Sequence, residues 1–513
     1  MLRYAVTIFI SAFLLFLVQP LIGRYILPWF GGGSGVWTAC LLFFQTVLLA
    51  GYAYAHVISK ASPRVQMVVH LALLASALVF LPIIPSEAWK PSPEDDPTLR
   101  IVVLLAVCIG VPFLMLSSTG PLLQAWFART HPGVSPYRLY ALSNAGSLLA
   151  LIGYPFAVEP SFTRHNQAVG WSIGFGVFAL LCGWCAVGQT SKRRNVETPT
   201  ERVESRKSKV EVRESGDSPT MFARCMWVAL PMCASIMLLS ATSQVGDEVA
   251  PIPFLWVLTL AIYLVSFIVT FEWPALYDRR LWGLGLLASP WVYFFMLLTP
   301  EAGLRELLAG HTAVLLCVCM VCHGELYRLR PAPQRLTAYY LGISAGGAMG
   351  GAFVSLIAPL IFTFNAEYFL GIFGAIALWF ACLFIDRDSP FYRGAMRPAW
   401  LGLIMVVALS GYLIRITAAS LDEFIVMRMR NFYGTLALRI LDDDKNPDQQ
   451  YMRLEHGRIT HGSQLRGKDP AVRRLPTLYY GPHTGVGMMM GFHPSLGHRR
   501  VGVVGLGAGT MAT

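Results

Sequence analysis

Apolar runs of 18 or more residues recur from the N-terminus to about residue 418. A helix needs about 20 consecutive apolar residues to cross the hydrocarbon core of a bilayer. Only 13% of the residues are charged, whereas soluble chains average about 25%. The sequence therefore predicts a mostly α-helical, polytopic protein that is embedded in a lipid bilayer.

The apolar runs fall into two similar groups of six, with one further segment after them, so we predict about 12–13 spans. The first group covers 4–27, 36–58, 66–84, 100–122, 138–158 and 168–188. The second group covers 223–243, 252–272, 281–299, 308–327, 336–362 and 367–385, and the extra segment is 399–417. The stretch between the groups is rich in Lys, Arg, Glu and Ser and reads as a solvated linker.

The predicted organisation has five parts. They are a first membrane half at 1–188, a basic cytoplasmic linker at 189–221, a second membrane half at 222–418, a small β-rich domain at 419–498, and the first strand of a truncated Rossmann-like domain at 499–513.

The loop charges predict the orientation. Basic residues such as Lys60, Arg129 and Arg280 fall in alternate loops, and the intervening loops are acidic or mixed, as at Asp247. Cytoplasmic loops carry an excess of Lys and Arg, so we predict a cytoplasmic N-terminus in a bacterial-type inner (plasma) membrane. The same rule accounts for the net charge of +11 without a nucleic-acid partner.

The two groups also resemble each other. YRLYALSNAGS at 137–147 is similar to TAYYLGISAGG at 337–347, and Trp37 in the second span corresponds to Trp256 in the eighth. Repeats of the same sense resemble the plan of the major facilitator superfamily, although apolar helices also look alike by chance. Gly342, Gly346 and Gly350 form a stripe of small residues that favours close helix packing.

Polar residues inside spans are costly to bury and often functional. Gln45 and Asn144 are predicted to lie deepest, either as interhelical hydrogen-bond partners or along a transport path. Cys319, Cys322 and His323 belong to a CxxCH pattern. Haem attachment and a zinc site are weak alternatives to plain core packing there, and we expect no metal.

After residue 420 the composition becomes strand-like. The segments 424–441 and 451–465 each predict two strands joined by a tight turn. The run VGVVGLGAGT ends in Gly505, Gly507, Gly509 and Thr510, a loop in which backbone N–H groups can approach a nucleotide.

Several motifs together resemble the spermidine synthase family, in the branch fused to a membrane domain. They are FLLFLVQPLIGRYILPWFGGGSG, CHGELYRLRPAPQRL, RNFYGTL, LEHGRITHGSQ, YYGPHTGVG and GLGAGT. The resemblance implies aminopropyl transfer from decarboxylated S-adenosylmethionine, bound along the glycine loop, to a small-molecule amine. It implies substrate binding by His456, Tyr479, Tyr480 and His483.

The pattern departs from the family at several positions. Ala508 and His456 stand where spermidine synthases carry Asp, and Thr460 stands where they carry Gln. The catalytic Asp is expected beyond Thr513, so this chain is predicted to be inactive. Two alternatives stay open: a membrane transporter or scaffold with a degenerate nucleotide-binding domain, and a methyltransferase that uses S-adenosylmethionine.

The segment 399–417 creates a conflict between topology and the implied cofactor. If it spans, the tail lies on the side opposite the N-terminus, away from cytoplasmic nucleotides. The resemblance favours a cytoplasmic tail, with 399–417 lying in the interface or re-entering, or with one earlier span miscounted. The alternative is an extracytoplasmic tail that binds no such cofactor.

Overall fold

The computed structural model describes residues 2–92, 94–131, 137–192, 219–248, 253–299, 302–331, 335–442, 450–467 and 469–492. Within these ranges, eleven helices are long and apolar enough to cross a membrane. The prediction of a mostly helical, polytopic membrane protein is confirmed.

Thirteen long helices are described, in the order of the predicted segments. The first group comprises α1 (Leu2–Ile26), α2 (Ser34–Ile58), α3 (Pro63–Leu78), α4 (Pro97–Thr130), α5 (Tyr137–Gly153) and α6 (Arg164–Lys192). The second group comprises α7 (Met221–Glu248), α8 (Pro253–Glu272), α9 (Arg279–Leu298), α10 (Leu304–Arg328), α11 (Leu336–Ala352) and α12 (Ala366–Ile385), and α13 (Arg397–Asp422) follows.

Local sequence signals set several helix starts. Asp96 accepts a hydrogen bond from the backbone N–H of Leu99 at 2.8 Å, and Pro97 opens α4. Asp278 accepts from the N–H groups of Arg280 and Leu281 in the same way at the start of α9. A side-chain acceptor before the first turn satisfies N–H groups that have no partner within the helix.

Each group of helices has its own core. Tyr4, Phe113 and Trp126 belong to a core formed by α1–α6. Leu315 and Tyr368 belong to a second core formed by α7–α12. A third, smaller cluster joins the groups and includes the indole rings of the residue pair predicted to correspond, Trp37 and Trp256.

Glycine allows the closest helix contacts within each group. A Cβ at Gly346 of α11 would overlap the carbonyl oxygen of Val228 on α7. A Cβ at Gly146 of α5 would lie 2.7 Å from the carbonyl oxygen of Phe9 on α1. The predicted packing role of the α11 glycine stripe is therefore confirmed.

The bundle has two ends, which we name by what they carry. The N-terminal face carries the start of α1 and the ends of α2 and α4, and Tyr4 packs there edge-on against Phe127. The opposite end is the sheet face, because α1 is 25 residues long and so rises by about 37 Å. Basic residues predominate in the loops of the N-terminal face.

A four-stranded antiparallel sheet covers part of the sheet face. Its strands are β1 (Ile425–Asn431), β2 (Gly434–Leu441), β3 (Tyr451–His456) and β4 (Ile459–Leu465), paired in that order. Both predicted hairpins are confirmed. In the part of the chain that the structure describes, this is the sheet that follows the bundle; residues 499–513 lie outside that part, and the Rossmann-like prediction has no support.

The sheet lies on the face opposite the N-terminus because α13 crosses the bundle. Arg458, after β3, donates to the carbonyl oxygens of Met296 and Thr299 at the end of α9. Arg430 on β1 donates to the carbonyl oxygen of Phe364, just before α12. The expectation that the tail shares the side of the N-terminus is wrong: α13 has 26 residues, enough to span, and its end delivers the tail to the sheet face.

Candidate functional site

A cavity of about 230 Å³ lies between the two groups of helices. Helices α1, α2, α4 and α5 line one side, and α7, α8 and α11 line the other. The cavity is therefore built by residues from both groups.

Helical spacing places the polar lining residues. Ser11, Leu15 and Gln19 are four residues apart on α1 and share one face. Ser143, Asn144 and Ser147 line the cavity from α5, and Tyr340, Ser344 and Gly347 line it from α11. The corresponding ends of the two repeated motifs thus face each other across the cavity.

The polar lining is uncharged. Among the described residues, those around the cavity include no Asp, Glu, Lys, Arg or His. The polar members are Ser11, Gln19, Gln45, Tyr52, Ser117, Ser143, Asn144, Ser147, Tyr263, Tyr340 and Ser344. They alternate with aromatic and aliphatic side chains, so the cavity offers hydrogen-bond partners on an apolar background.

Two amide groups keep unused hydrogen-bonding capacity at this cavity. The side-chain nitrogen of Gln45 donates to Ser235 Oγ at 2.9 Å, and Ser235 in turn donates to the carbonyl oxygen of Gly347 at 3.0 Å. The Gln45 side-chain oxygen and the Asn144 side-chain nitrogen are buried without a partner. A buried polar group without a partner costs about 1–3 kcal/mol. Both residues line the cavity, and the Gln45 oxygen packs against Gly351 of α11.

Aromatic pairs join the two groups of helices on either side of the cavity. The indoles of Trp37 and Trp256 stack with centroids 4.1 Å apart near the sheet-face ends of α2 and α8. Toward the N-terminal face, the rings of Tyr52 and Tyr340 meet edge-on at 6.3 Å. Tyr340 also lines a second cavity of about 340 Å³ that includes Arg330 at that face.

The sheet is held to α7 and α12 by buried charges. Arg430 contacts the Glu367 carboxylate at 2.5 and 3.0 Å, with the side chains 7% and 0% exposed. Arg458 lies 3.6 Å from Glu248, which also contacts the ring of His311 at 3.1 Å. Gly457, at φ +57°, turns against the backbone of Asp247 so closely that no Cβ would fit.

The sheet touches the first group of helices through one uncharged turn. A Cβ at Gly35 would overlap the carbonyl oxygen of Phe432, in the turn between β1 and β2. The ring of Tyr433 lies against Gly31, whose φ is +87°. These contacts involve backbone and aromatic carbon, in contrast to the ion pairs on the other side of the sheet.

A network of ion pairs lies at the N-terminal face of the second group of helices. Arg279 contacts Glu325 at 2.7 Å and Asp386 at 2.6 Å, and Arg328 contacts Asp386 at 2.7 Å. Burial raises the pKa of Asp386, but the backbone N–H of Asp388 and the guanidinium groups of Arg328 and Arg279 outweigh it, so the pKa lies below its ordinary value. Burial and the neighbouring Glu325 carboxylate raise the pKa of the Tyr277 phenol well above its ordinary value.

Other polar side chains within or near the spans have side-chain partners, some of them on another helix. Arg24 pairs with Glu159, and His56 bonds Thr337 at 3.0 Å. His323 bonds Ser266 at 3.0 Å inside the α8–α10 core. The described residues contain no group of three or more His, Cys, Asp or Glu side chains arranged to hold a metal.

The residues predicted to bind the amine lie in the tail and do not line the cavity, and those predicted to bind the cofactor cannot be placed. Gly505, Gly507, Gly509 and Thr510 are outside the described residues. His456 ends β3, 3.8 Å from Asp247, and Tyr479 donates to the carbonyl oxygen of His461 at 2.9 Å. Tyr480 is in the same short 3-10 turn, which ends just before His483. A substrate role for these residues stays a prediction.

No protein-family model matches the chain, and no curated protein matches it. Among solved structures, a D-xylose-proton symporter is similar with a TM-score of 0.45 and 14% identity, over 75% of this chain and 98% of that chain. A peptide transporter POT in complex with alafosfalin has a TM-score of 0.44 and 15% identity, over 74% and 93%. A structure of proton dependent oligopeptide transporters has a TM-score of 0.40 and 12% identity, over 81% and 98%.

These solved structures are of transporters, and the interpretation as a membrane-fused spermidine synthase is wrong. The prediction of decarboxylated or ordinary S-adenosylmethionine as cofactor is therefore also wrong. The motifs that carried the resemblance carry no information about which face of the bundle the tail reaches. That face is set by α13, which brings the tail to the face opposite the N-terminus.

Proposed function

We propose that this protein is a membrane transporter that moves a small molecule through the cavity between its two groups of helices. The observation that carries the proposal is that helices of both groups line that cavity. Relative movement of the groups would expose the cavity to one face and then to the other.

The two groups are proposed to be equivalent six-helix halves, joined by the linker 189–221. The first half lies in 1–188, and 222–418 contains the second half followed by the extra segment α13. The glycine contacts support this equivalence. Gly146 meets the backbone of Phe9 and Phe13, and Gly346 meets that of Val228 and Met232, so the partner atoms correspond in both halves. The π-helical turns Tyr154–Val158 and Phe353–Ile357 follow α5 and α11 in the same way.

We further propose that the N-terminal face is cytoplasmic, in the inner membrane of a bacterial-type cell. The basic loops of that face support this orientation, because such loops are retained in the cytoplasm. The β-rich domain at 419–498 would then lie outside the cytoplasm, where it caps the second half.

Accessibility of the cavity from each side tests the transport mechanism without a known substrate. The reporter is Ser344→Cys in a chain whose exposed Cys225 is replaced by Ser. In oriented vesicles, we expect membrane-impermeant thiol reagents to label the reporter from either side. Ser289→Cys, on α9 and 1% exposed, is the matched control that should stay unlabelled.

A cross-link provides the second arm. Trp37→Cys combined with Trp256→Cys, joined by a bifunctional thiol reagent, should abolish labelling of the reporter from the sheet face and leave labelling from the N-terminal face. Labelling from one side only in the uncross-linked protein would contradict alternating access.

A further inference from the structure

We propose that the cavity selects an uncharged, single-ring molecule of about ten non-hydrogen atoms that carries both a hydrogen-bond donor and an acceptor. This inference rests on the proposed transport function and specifies its substrate class. It is carried by the cavity lining, its size and its two unpaired amide atoms.

The charge of the ligand follows from the lining. Removing an ion from water into a site without a counter-charge costs several kcal/mol, and no charged side chain is present among the described lining residues. The charges of the second group at the N-terminal face, such as Arg279 and Glu325, are already matched within their own network. A protonated amine or a carboxylate would therefore enter the cavity unpaired.

The size follows from the volume. A cavity of about 150 Å³ accommodates benzene, which has six carbon atoms. The cavity here has about 230 Å³, which scales to about nine or ten non-hydrogen atoms on the same basis. The rings of Phe44, Phe113 and Tyr263 supply flat apolar surface for one ring.

The hydrogen-bonding pattern follows from Gln45 and Asn144. The Gln45 oxygen can accept a hydrogen bond, and the Asn144 nitrogen can donate one. Asn144 is 7% exposed, so water from outside does not satisfy it freely. A ligand with an amide or paired hydroxyl groups carries a partner for each kind of atom.

Four probes of matched size test the class by equilibrium dialysis against the purified full chain. They are benzamide, ethylbenzene, benzoate and benzylammonium. We expect benzamide to bind on the order of 100-fold more tightly than either ion, because the ions bring an unpaired charge. Benzamide should exceed ethylbenzene by about threefold to tenfold for each hydrogen bond made.

Substitutions at the cavity make the assignment specific. Asn144→Ala should reduce the advantage of benzamide over ethylbenzene, and Asn144→Asp should shift the preference toward benzylammonium. Asn166→Asp, an exposed asparagine on α6, is the matched control that should change nothing. Elution as a monodisperse peak and an unchanged helical circular-dichroism signal establish that each variant is folded.

The outcomes separate this inference from the transport proposal. If benzoate or benzylammonium binds the unsubstituted chain as tightly as benzamide, or if none of the four binds, the substrate class is overturned. The two-sided labelling of Ser344→Cys would then still test the transport proposal separately. An unchanged preference in a folded Asn144→Asp variant would likewise overturn the assigned binding site.

Discussion

The ion pair between Arg430 and Glu367 should dominate the attachment of the sheet to the bundle. The guanidinium makes two hydrogen bonds to the carboxylate, at 2.5 and 3.0 Å, and a third to the carbonyl oxygen of Phe364 at 2.8 Å. Both side chains are withdrawn from water, at 7% and 0% exposure. Breaking such a buried pair from one side leaves the other charge uncompensated.

Glu367→Gln keeps the shape of the side chain and removes its charge. The loss of one partner from a buried pair costs about 3–5 kcal/mol. Glutamine retains one acceptor oxygen, so we expect the lower end, about 3 kcal/mol. At about 1.4 kcal/mol per factor of ten, the undocked population should rise by about two orders of magnitude.

The assay is the alkylation rate of Thr435→Cys, a position on β2 that faces Asp247 in the docked sheet. When docking equilibrates faster than alkylation, the rate follows the undocked population. The control is Asp422→Asn, which breaks the more exposed pair with Arg428 at the end of α13. An exposed pair is worth about 0–1 kcal/mol, so the control rate should change by less than about tenfold.

The double variant Glu367→Gln with Arg430→Met separates charge from contact. Replacing both partners of a buried pair with groups of similar volume is often neutral, so the alkylation rate should return toward that of the parent. If Glu367→Gln and Asp422→Asn raise the rate equally, the burial argument for Arg430 is refuted.

Three further outcomes test the fold. Gly346→Leu should overpack the α7–α11 contact, which costs about 1–3 kcal/mol or more of folding stability, and so lower the thermal midpoint in detergent. Gly110→Leu should leave the midpoint unchanged, because Gly110 has open space around it. Equal decreases in the two midpoints would contradict the packing role. Gly457→Ala should raise the Thr435→Cys alkylation rate, since its positive φ and close approach to α7 leave no room for a methyl group; an unchanged rate would show that this turn does not dock as described. Asp386 has a lowered pKa in the folded state, so its stabilising effect should be present above the ordinary pKa of about 3.9 and disappear as the pH falls through the lowered pKa. The stability difference between the parent and Asp386→Asn, measured by thermal unfolding, should therefore shrink in acid. A difference that stays constant with pH would rule out this linkage.

The sequence predicted the bundle well because span length is a strong signal. Bilayer thickness fixes how long an apolar segment must be, and each predicted segment corresponds to a helix. The glycine stripe on α11 was equally readable, since a four-residue spacing puts small residues on one helix face. Gln45 and Asn144 stood out because amides are uncommon deep inside spans.

The serine and tyrosine part of the cavity could not be predicted in this way. A serine in a helix can bond the backbone of its own preceding turn, as Ser117 does with the carbonyl oxygen of Leu114 at 2.9 Å. It therefore costs little in a span and gives no sign of a site. Tyr52 and Tyr340 resemble ordinary core residues in the sequence, and only their meeting across the two groups reveals their position.

The docking of the sheet onto the bundle could not be predicted from the sequence for another reason. Arg430 and Glu367 lie 63 residues apart on either side of α13, and a single sequence does not pair them. The membrane crossing by α13 decides which acidic loop the strand meets. A motif comparison of the tail alone carries no such information.

The distribution of charge explains how the two groups could separate at moderate cost. The described ion pairs lie within the first group, within the second, within the tail, or between the tail and the second; none of those described joins α1–α6 to α7–α12. Contacts between the groups include the aromatic pairs Trp37–Trp256 and Tyr52–Tyr340, an apolar cluster, and neutral hydrogen bonds such as Gln45–Ser235. An aromatic pair contributes about 0.5–1.5 kcal/mol, much less than a broken buried ion pair.

The contacts of the sheet with the two groups of helices also differ in charge. Its charged contacts are to Glu367, Asp247 and Glu248 of the second group, whereas its contact with Gly35 of the first group is an uncharged turn. We therefore expect the sheet to move with the second group as one body, and the turn at Phe432 to leave the glycine loop when the sheet face opens. A cross-link between Gly33→Cys, where a Cβ fits in ordinary contact 3.5 Å from the carbonyl oxygen of Tyr433, and Tyr433→Cys should then abolish labelling of Ser344→Cys from the sheet face, as the Trp37–Trp256 cross-link does. A cross-link from the sheet to α12 should leave that labelling intact, and blockage by both would show that the sheet must detach from the second group before the cavity opens.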